Sequence, residues 1–62
     1  MENNDVLRRL RYTFDYNDAK MIEIFSLVEY AIDRYILSKW LKKFEDPNFE
    51  EMDDIDLAAF LN

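Results

Sequence analysis

The chain has 62 residues, half of them hydrophobic and ten aromatic, with 14 acidic against 8 basic side chains, a net charge of −6, and neither cysteine nor histidine. That length makes one domain, near the size where a single core only just offsets the conformational entropy lost on folding. The acidity argues against a nucleic-acid partner, because phosphate contacts need a concentrated basic surface, and the missing His and Cys remove the commonest general base and any thiolate metal site.

No apolar run approaches the roughly 20 residues that span a bilayer, and the opening MENNDV is acidic and polar rather than a basic signal-peptide start. The expectation is a soluble cytoplasmic chain that uses no cofactor, no metal, no membrane and no small-molecule substrate. With no glycine and one proline, hairpins and phosphate-cradling loops that rely on positive φ are disfavoured. The fold class that remains is all-α, a compact four-helix domain of three main helices and a short C-terminal one.

The first helix is expected to be capped by Asn3 or Asn4, with Asp5 in its first turn. Val6, Leu7, Leu10 and Phe14 share an arc of about 100° on a helical wheel and form its core face. Arg8, Arg9 and Arg11 lie outside that arc and are expected to pair with Asp5 or Asp15. Tyr12, one turn after Arg8, points away from the core, where it can lie under a guanidinium. The segment Asp15 to Asp18 reads as a turn, with Asn17 or Asp15 capping the next helix.

A second helix is expected from about Asp18 to Glu29 or Tyr30, with Met21, Ile22, Ile24, Phe25, Leu27 and Val28 giving it the widest apolar face. No Gly or Pro separates it from the third. Continuing the wheel, however, sets the two apolar faces about 150° apart, so a break belongs between Tyr30 and Asp33, with Asp33 as N-cap. The third helix then runs to Phe44, placing Ile36, Leu37, Trp40, Leu41 and Phe44 on one arc of about 140°. Its other side carries Arg34, Ser38, Lys39, Lys42 and Lys43. The only Trp sits at the centre of the apolar side, which marks this helix as the one the others pack around. Pro47 ends it and disfavours helix at Asp46. Asp53 and Asp56 form a capping-box variant ahead of a short fourth helix that buries Leu57, Phe60 and Leu61.

The stretches NNDVLRRLRY, DAKMIEIF, WLKK, EDPNF and LAAFLN occur in order along nearly the whole chain and resemble the bacterial YehS-like domain of unknown function. The resemblance implies a helical domain that occurs in tandem copies within longer proteins and continues past FLN. It implies no activity and transfers no catalytic residue. The departures from the family pattern are apolar: Tyr30, Ile32 and Tyr35 in EYAIDRYI, and Phe44 and Ile55 where acidic residues are usual. Such a pattern suits a scaffold whose surface has been altered for binding, by engineering or by natural divergence.

Tyr35 is the sharpest anomaly, falling between Lys39 and Lys42 in the polar arc of the third helix. Tyrosine is favoured at interface hot spots because it offers large rigid area at low entropic cost; the plainer reading is an ordinary surface tyrosine. With Tyr30 and Ile32 nearby it forms a candidate partner-binding patch, with Lys39 and Lys42 at the rim meeting acidic groups on a protein partner or a second copy in a homodimer. Ile55 either joins the patch or packs on Phe49. The run Glu45 to Asp56 holds seven carboxylates in twelve residues. A calcium loop starting at Asp46 would need Gly sixth and Glu twelfth, and Glu51 and Leu57 stand there, so solvated charge and capping is the expectation. The function expected is non-enzymatic protein binding; the alternative is one structural half of a tandem module. Burial of both Ile32 and Tyr35 would remove the patch.

Overall fold

Glu2, rather than Asn3 or Asn4, opens the first helix. In the computed structural model, which describes residues 2–62, the Glu2 carboxylate accepts a backbone N–H of the first turn while Asp5 reaches back to the Glu2 N–H, a reciprocal capping box. Both asparagines are thereby free for other bonds. The described residues form four helices and no strand: α1 (Asn3–Phe14), α2 (Asp18–Ser26), α3 (Arg34–Trp40) and α4 (Asp54–Leu61). The radius of gyration is 10.7 Å, against about 10.6 Å for a compact chain of this length.

The core consists of Leu7, Met21, Phe25, Leu37, Trp40, Met52 and Phe60. Phe25 is its hub, with the rings of Tyr30, Trp40 and Phe60 at 5.9, 5.8 and 5.0 Å. Trp40 is buried as its wheel position requires, yet it lies to one side of that hub. The expected apolar faces hold along the body of each helix and fail at or beyond its C-terminal end. Phe14 is exposed and stacks on Tyr16 at 5.4 Å; Leu27, Phe44 and Leu61 are exposed as well.

Two helices end in the same way without glycine. Asp15 and Glu29 adopt left-handed φ of 55° and 59°. Tyr16 N–H bonds the Arg11 carbonyl at 3.0 Å and Asp15 N–H bonds Tyr12 at 3.2 Å; after α2, Tyr30 N–H bonds Phe25 at 3.0 Å and Glu29 N–H bonds Ser26 at 2.9 Å. Both are Schellman closures with an acidic residue in the position usually given to glycine. This is why α2 stops at Ser26 rather than Glu29 or Tyr30. Its last turn tightens into bonds three residues apart, Leu27 to Ile24 and Val28 to Phe25, both 3.2 Å.

Asn17 and Asp33 cap α2 and α3 through side-chain bonds of 2.8 Å to Lys20 N–H and Ile36 N–H. The third helix ends at Trp40, four residues short of Phe44, because other groups take its terminal carbonyls. Asn4 Nδ2 bonds the Trp40 carbonyl at 2.9 Å, Arg8 bonds that of Lys42 at 2.7 Å, and Glu50 N–H reaches that of Lys39 at 3.3 Å. The chain then crosses to α4 as an irregular segment. Phe44 lies there, edge-on to Phe49 at 5.7 Å, outside the core. The Asp53–Asp56 capping box starts α4 as expected.

Candidate functional site

Six of the eight residues of α4, DIDLAAFL, are apolar, and they occupy every side of the helix. Only Phe60 among them is buried; Ile55 is 74% exposed and Leu61 60%. A helix that is apolar all round is ordinarily enclosed on all sides. Here one side packs on the core, and the other forms one wall of an open groove of about 510 Å³ lined by Val28, Tyr30, Ile55, Ala58, Ala59, Leu61 and the polar Asn62. Val28 and Tyr30 come from the glycine-free turn that closes α2.

Tyr30 joins the two walls. Its ring packs on Phe25, and its hydroxyl donates to the Asp56 carboxylate, which also accepts the Asp53 N–H at 3.0 Å. That hydrogen bond to Asp56, with desolvation and the charges of Asp56 and Asp53, raises the Tyr30 phenol above its usual range. Tyr30 is thus half-buried, a strut between α2 and α4 that also presents surface to the groove.

The remaining sequence-derived residues divide between two places. Ile55 shares the groove with Tyr30 and does not pack away on Phe49, whose ring partner is Phe44. Ile32 is half-buried against the core. Tyr35 is 67% exposed, and Lys39 Nζ lies 4.3 Å from its ring centroid, so the tyrosine has a local cation–π partner one turn along its own helix. Lys42 is half-buried, its carbonyl held by Arg8. The structure therefore pairs Tyr30 with Ile55 and Tyr35 with Lys39. Neither Tyr35 nor Lys39 lines the groove.

The acidic stretch is occupied locally. Asp46 accepts the Asn48 N–H at 2.8 Å, Asp53 and Asp56 cap α4, and Asp54 accepts from Asn3 at 2.7 Å. No group of three acidic side chains among the described residues converges as a metal site would require. On α1, Arg8 pairs with Asp5, whereas Arg11 pairs with Asp18 at 3.2 Å rather than with Asp15. Tyr12 is exposed beside Arg8 and Arg9 in a shallow cleft that Asp5 also lines.

The family model described as "Protein of unknown function (DUF1456)" matches residues 3–62. The chain belongs to this family. It is 32% identical over all 62 residues to the uncharacterized protein YehS of Escherichia coli (strain K12), and spans 40% of that relative's length. No solved structure matches the chain. No helix among the described residues is long and apolar enough to cross a membrane.

Sequence reasoning missed two residues on which the geometry depends. Asn4, considered only as a cap, is completely buried and binds three backbone groups. Met52, in the irregular segment, is a core residue at 1% exposure. Neither lies in a periodic pattern that could have flagged it. The all-round apolarity of LAAFL, by contrast, was a readable signal for the groove.

Proposed function

We propose that this is a non-enzymatic, cytoplasmic protein-binding domain whose contact surface is the groove between the closing turn of α2 and α4. The observation that carries the reading is α4 itself, apolar on every side with Ile55 and Leu61 left uncovered. Contiguous apolar surface on a small domain is where partners dock. Ile55 and Tyr30 are the anchors. Tyr35, with Lys39 over its ring and Lys42 further along, forms a second, more polar contact point. The apolar departures at Tyr35 and Ile55 fit a surface altered for binding.

A photo-crosslinking residue in place of Ile55, compared with one at Glu51, tests the reading in cells. A discrete adduct at position 55 and none at 51 is expected; equal or absent labelling at both refutes it. Sedimentation of the domain beside Tyr35→Glu and Ile55→Glu variants addresses self-association, because a homodimer would dissociate in one of them. An unchanged monomer in all three samples leaves a separate partner. The tandem-module reading rests on the greater length of the Escherichia coli relative. There the adduct would fall within one longer polypeptide.

A further inference from the structure

The two chain segments that make the groove have a charge pattern of their own. Residues 21–33 carry Glu23, Glu29 and Asp33, and residues 44–62 carry seven carboxylates, while neither segment contains a lysine or arginine. All eight cations lie elsewhere, on residues 8–20 and 34–43. The fold brings the two acidic segments together along the groove. Glu29 stands between the lining residues Val28 and Tyr30, and Asp54 and Asp56 flank Ile55. The apolar lining therefore belongs to chain segments whose charged side chains are all negative, with Glu29 and Asp54 exposed and with Asp54 and Asp56 also accepting from Asn3 and Tyr30.

Building on the protein-binding reading above, we propose that the groove receives a cationic amphipathic helix from a different protein. Apolar side chains of that helix would cover Ile55, Ala58 and Leu61, and lysines or arginines on its flanks would face Glu29, Asp54 and Asp56. The length of α4, eight residues or about 12 Å, fits two to three turns of a partner helix. A second copy of this chain is the poorer occupant, because docking groove to groove would set two such anionic surfaces against each other. An anionic membrane surface is repelled for the same reason.

The test uses fluorescein-labelled peptides of about 14 residues, four turns of helix: one of leucine and lysine at helical spacing, its leucine–glutamate counterpart, and a lysine peptide with each leucine replaced by glutamine. Binding is followed by anisotropy against the wild type, Ile55→Lys and Ala58→Arg. Both positions are exposed, so the variants should keep the buried emission of Trp40, which confirms folding in each sample. The leucine–lysine peptide is expected to saturate with a Kd on the order of 10 μM, to weaken at least tenfold in either variant and severalfold at high salt. The other two peptides should bind at least tenfold more weakly. If the leucine–glutamate peptide binds equally well and is lost in the same variants, the cationic partner is refuted while groove binding stands. If the leucine–lysine peptide ignores both substitutions, or the glutamine-substituted peptide matches it, the groove is not the site and both readings fall. Absence of binding by every peptide overturns the proposed partner.

Discussion

Replacing Asn4 by Ala should cost this domain a large part of its stability, although position 4 lies only two residues from the start of the described chain. The Asn4 side chain is fully buried. Its Nδ2 donates to the carbonyls of Trp40 and Glu50, both at 2.9 Å, and its Oδ1 accepts the Met52 N–H at 2.8 Å. The two carbonyls on one side and the N–H on the other fix the amide's orientation. They also tie α1 to the end of α3 and to the irregular segment ahead of α4. Each bond contributes about 1 kcal/mol net, and a buried partner left unpaired costs more, so truncation should cost about 3–4 kcal/mol. A domain of this length has about 3–9 kcal/mol in total, at roughly 0.05–0.15 kcal/mol per residue.

Trp40, the only tryptophan and 5% exposed, is the natural reporter for urea unfolding. With a slope of about 1 kcal/mol per M, the midpoint of Asn4→Ala should fall by about 3 M or vanish into the baseline. Asn4→Asp sharpens the test. It keeps the acceptor for Met52 N–H but turns a carboxylate toward two carbonyls, so at neutral pH it should be no more stable than Asn4→Ala and should recover in part when acid protonates it. Asn3→Ala loses bonds only to Met52 and Asp54 near the surface and should cost less than about 1 kcal/mol. A midpoint for Asn4→Ala within about 0.5 M of wild type, or a neutral-pH Asn4→Asp as stable as the parent, would refute the clamp.

The left-handed residues supply the opposite kind of change. Glu29→Gly should stabilise by about 0.5–1 kcal/mol, since relief of left-handed strain outweighs the added freedom of the unfolded chain; Asp15→Gly should gain less, because Asp tolerates that region better. Thermal melts of the two variants check both. Tyr30→Phe should cost about 1 kcal/mol near neutrality by removing the bond to Asp56. Because the folded-state pKa of Tyr30 is raised above an unfolded value of about 10, its contribution is full below that pH and is lost as pH rises through the folded pKa. The stability gap between wild type and Tyr30→Phe should therefore narrow in alkali, and urea titrations at several pH values would show a constant gap if the bond were absent. Phe25→Ala should leave the domain largely unfolded, at about 3–5 kcal/mol, whereas Phe44→Ser, at a 69% exposed position, should shift the melt by less than about 1 kcal/mol.

The elements that were legible in the sequence are those specified by near neighbours. Asn17, Asp33 and Asp53 announce helix starts because a cap acts within three residues. Leu7, Met21, Phe25, Leu37 and Trp40 all lie on the apolar arcs of their helices and away from the expected C-terminal ends, where periodicity is least ambiguous. The length of α3 was not legible, because Asn4 and Glu50 take the Trp40 and Lys39 carbonyls that the next turn would have used, and no local pattern carries that competition. The closing turns were hidden for a different reason. Without glycine, nothing marks Glu29 or Asp15 as left-handed, so the end of α2 was placed too late. The site was half visible: the exposure of Tyr35 follows from its place in the polar arc, but for Ile55 position alone allowed either the patch or packing on Phe49, and its meeting with Tyr30 depends on the same unmarked turn.

The fourth helix connects the stability of the domain to its surface. Among its six apolar residues only Phe60 is buried, so packing alone is a weak tether for α4. Its N-terminal half is held by polar ties instead: the Asp53–Asp56 box, Asp54 to Asn3, and Asp56 to Tyr30. Those ties leave Ile55 and Leu61 free of any role in the core. They also set the groove's width through Tyr30, whose ring rests on the aromatic hub at Phe25. A partner would therefore meet one wall built on the core and another fixed at its start by hydrogen bonds, with little side-chain ordering left to oppose binding. Loosening the Tyr30–Asp56 strut should weaken docking even though the Tyr30 hydroxyl faces Asp56 rather than the ligand.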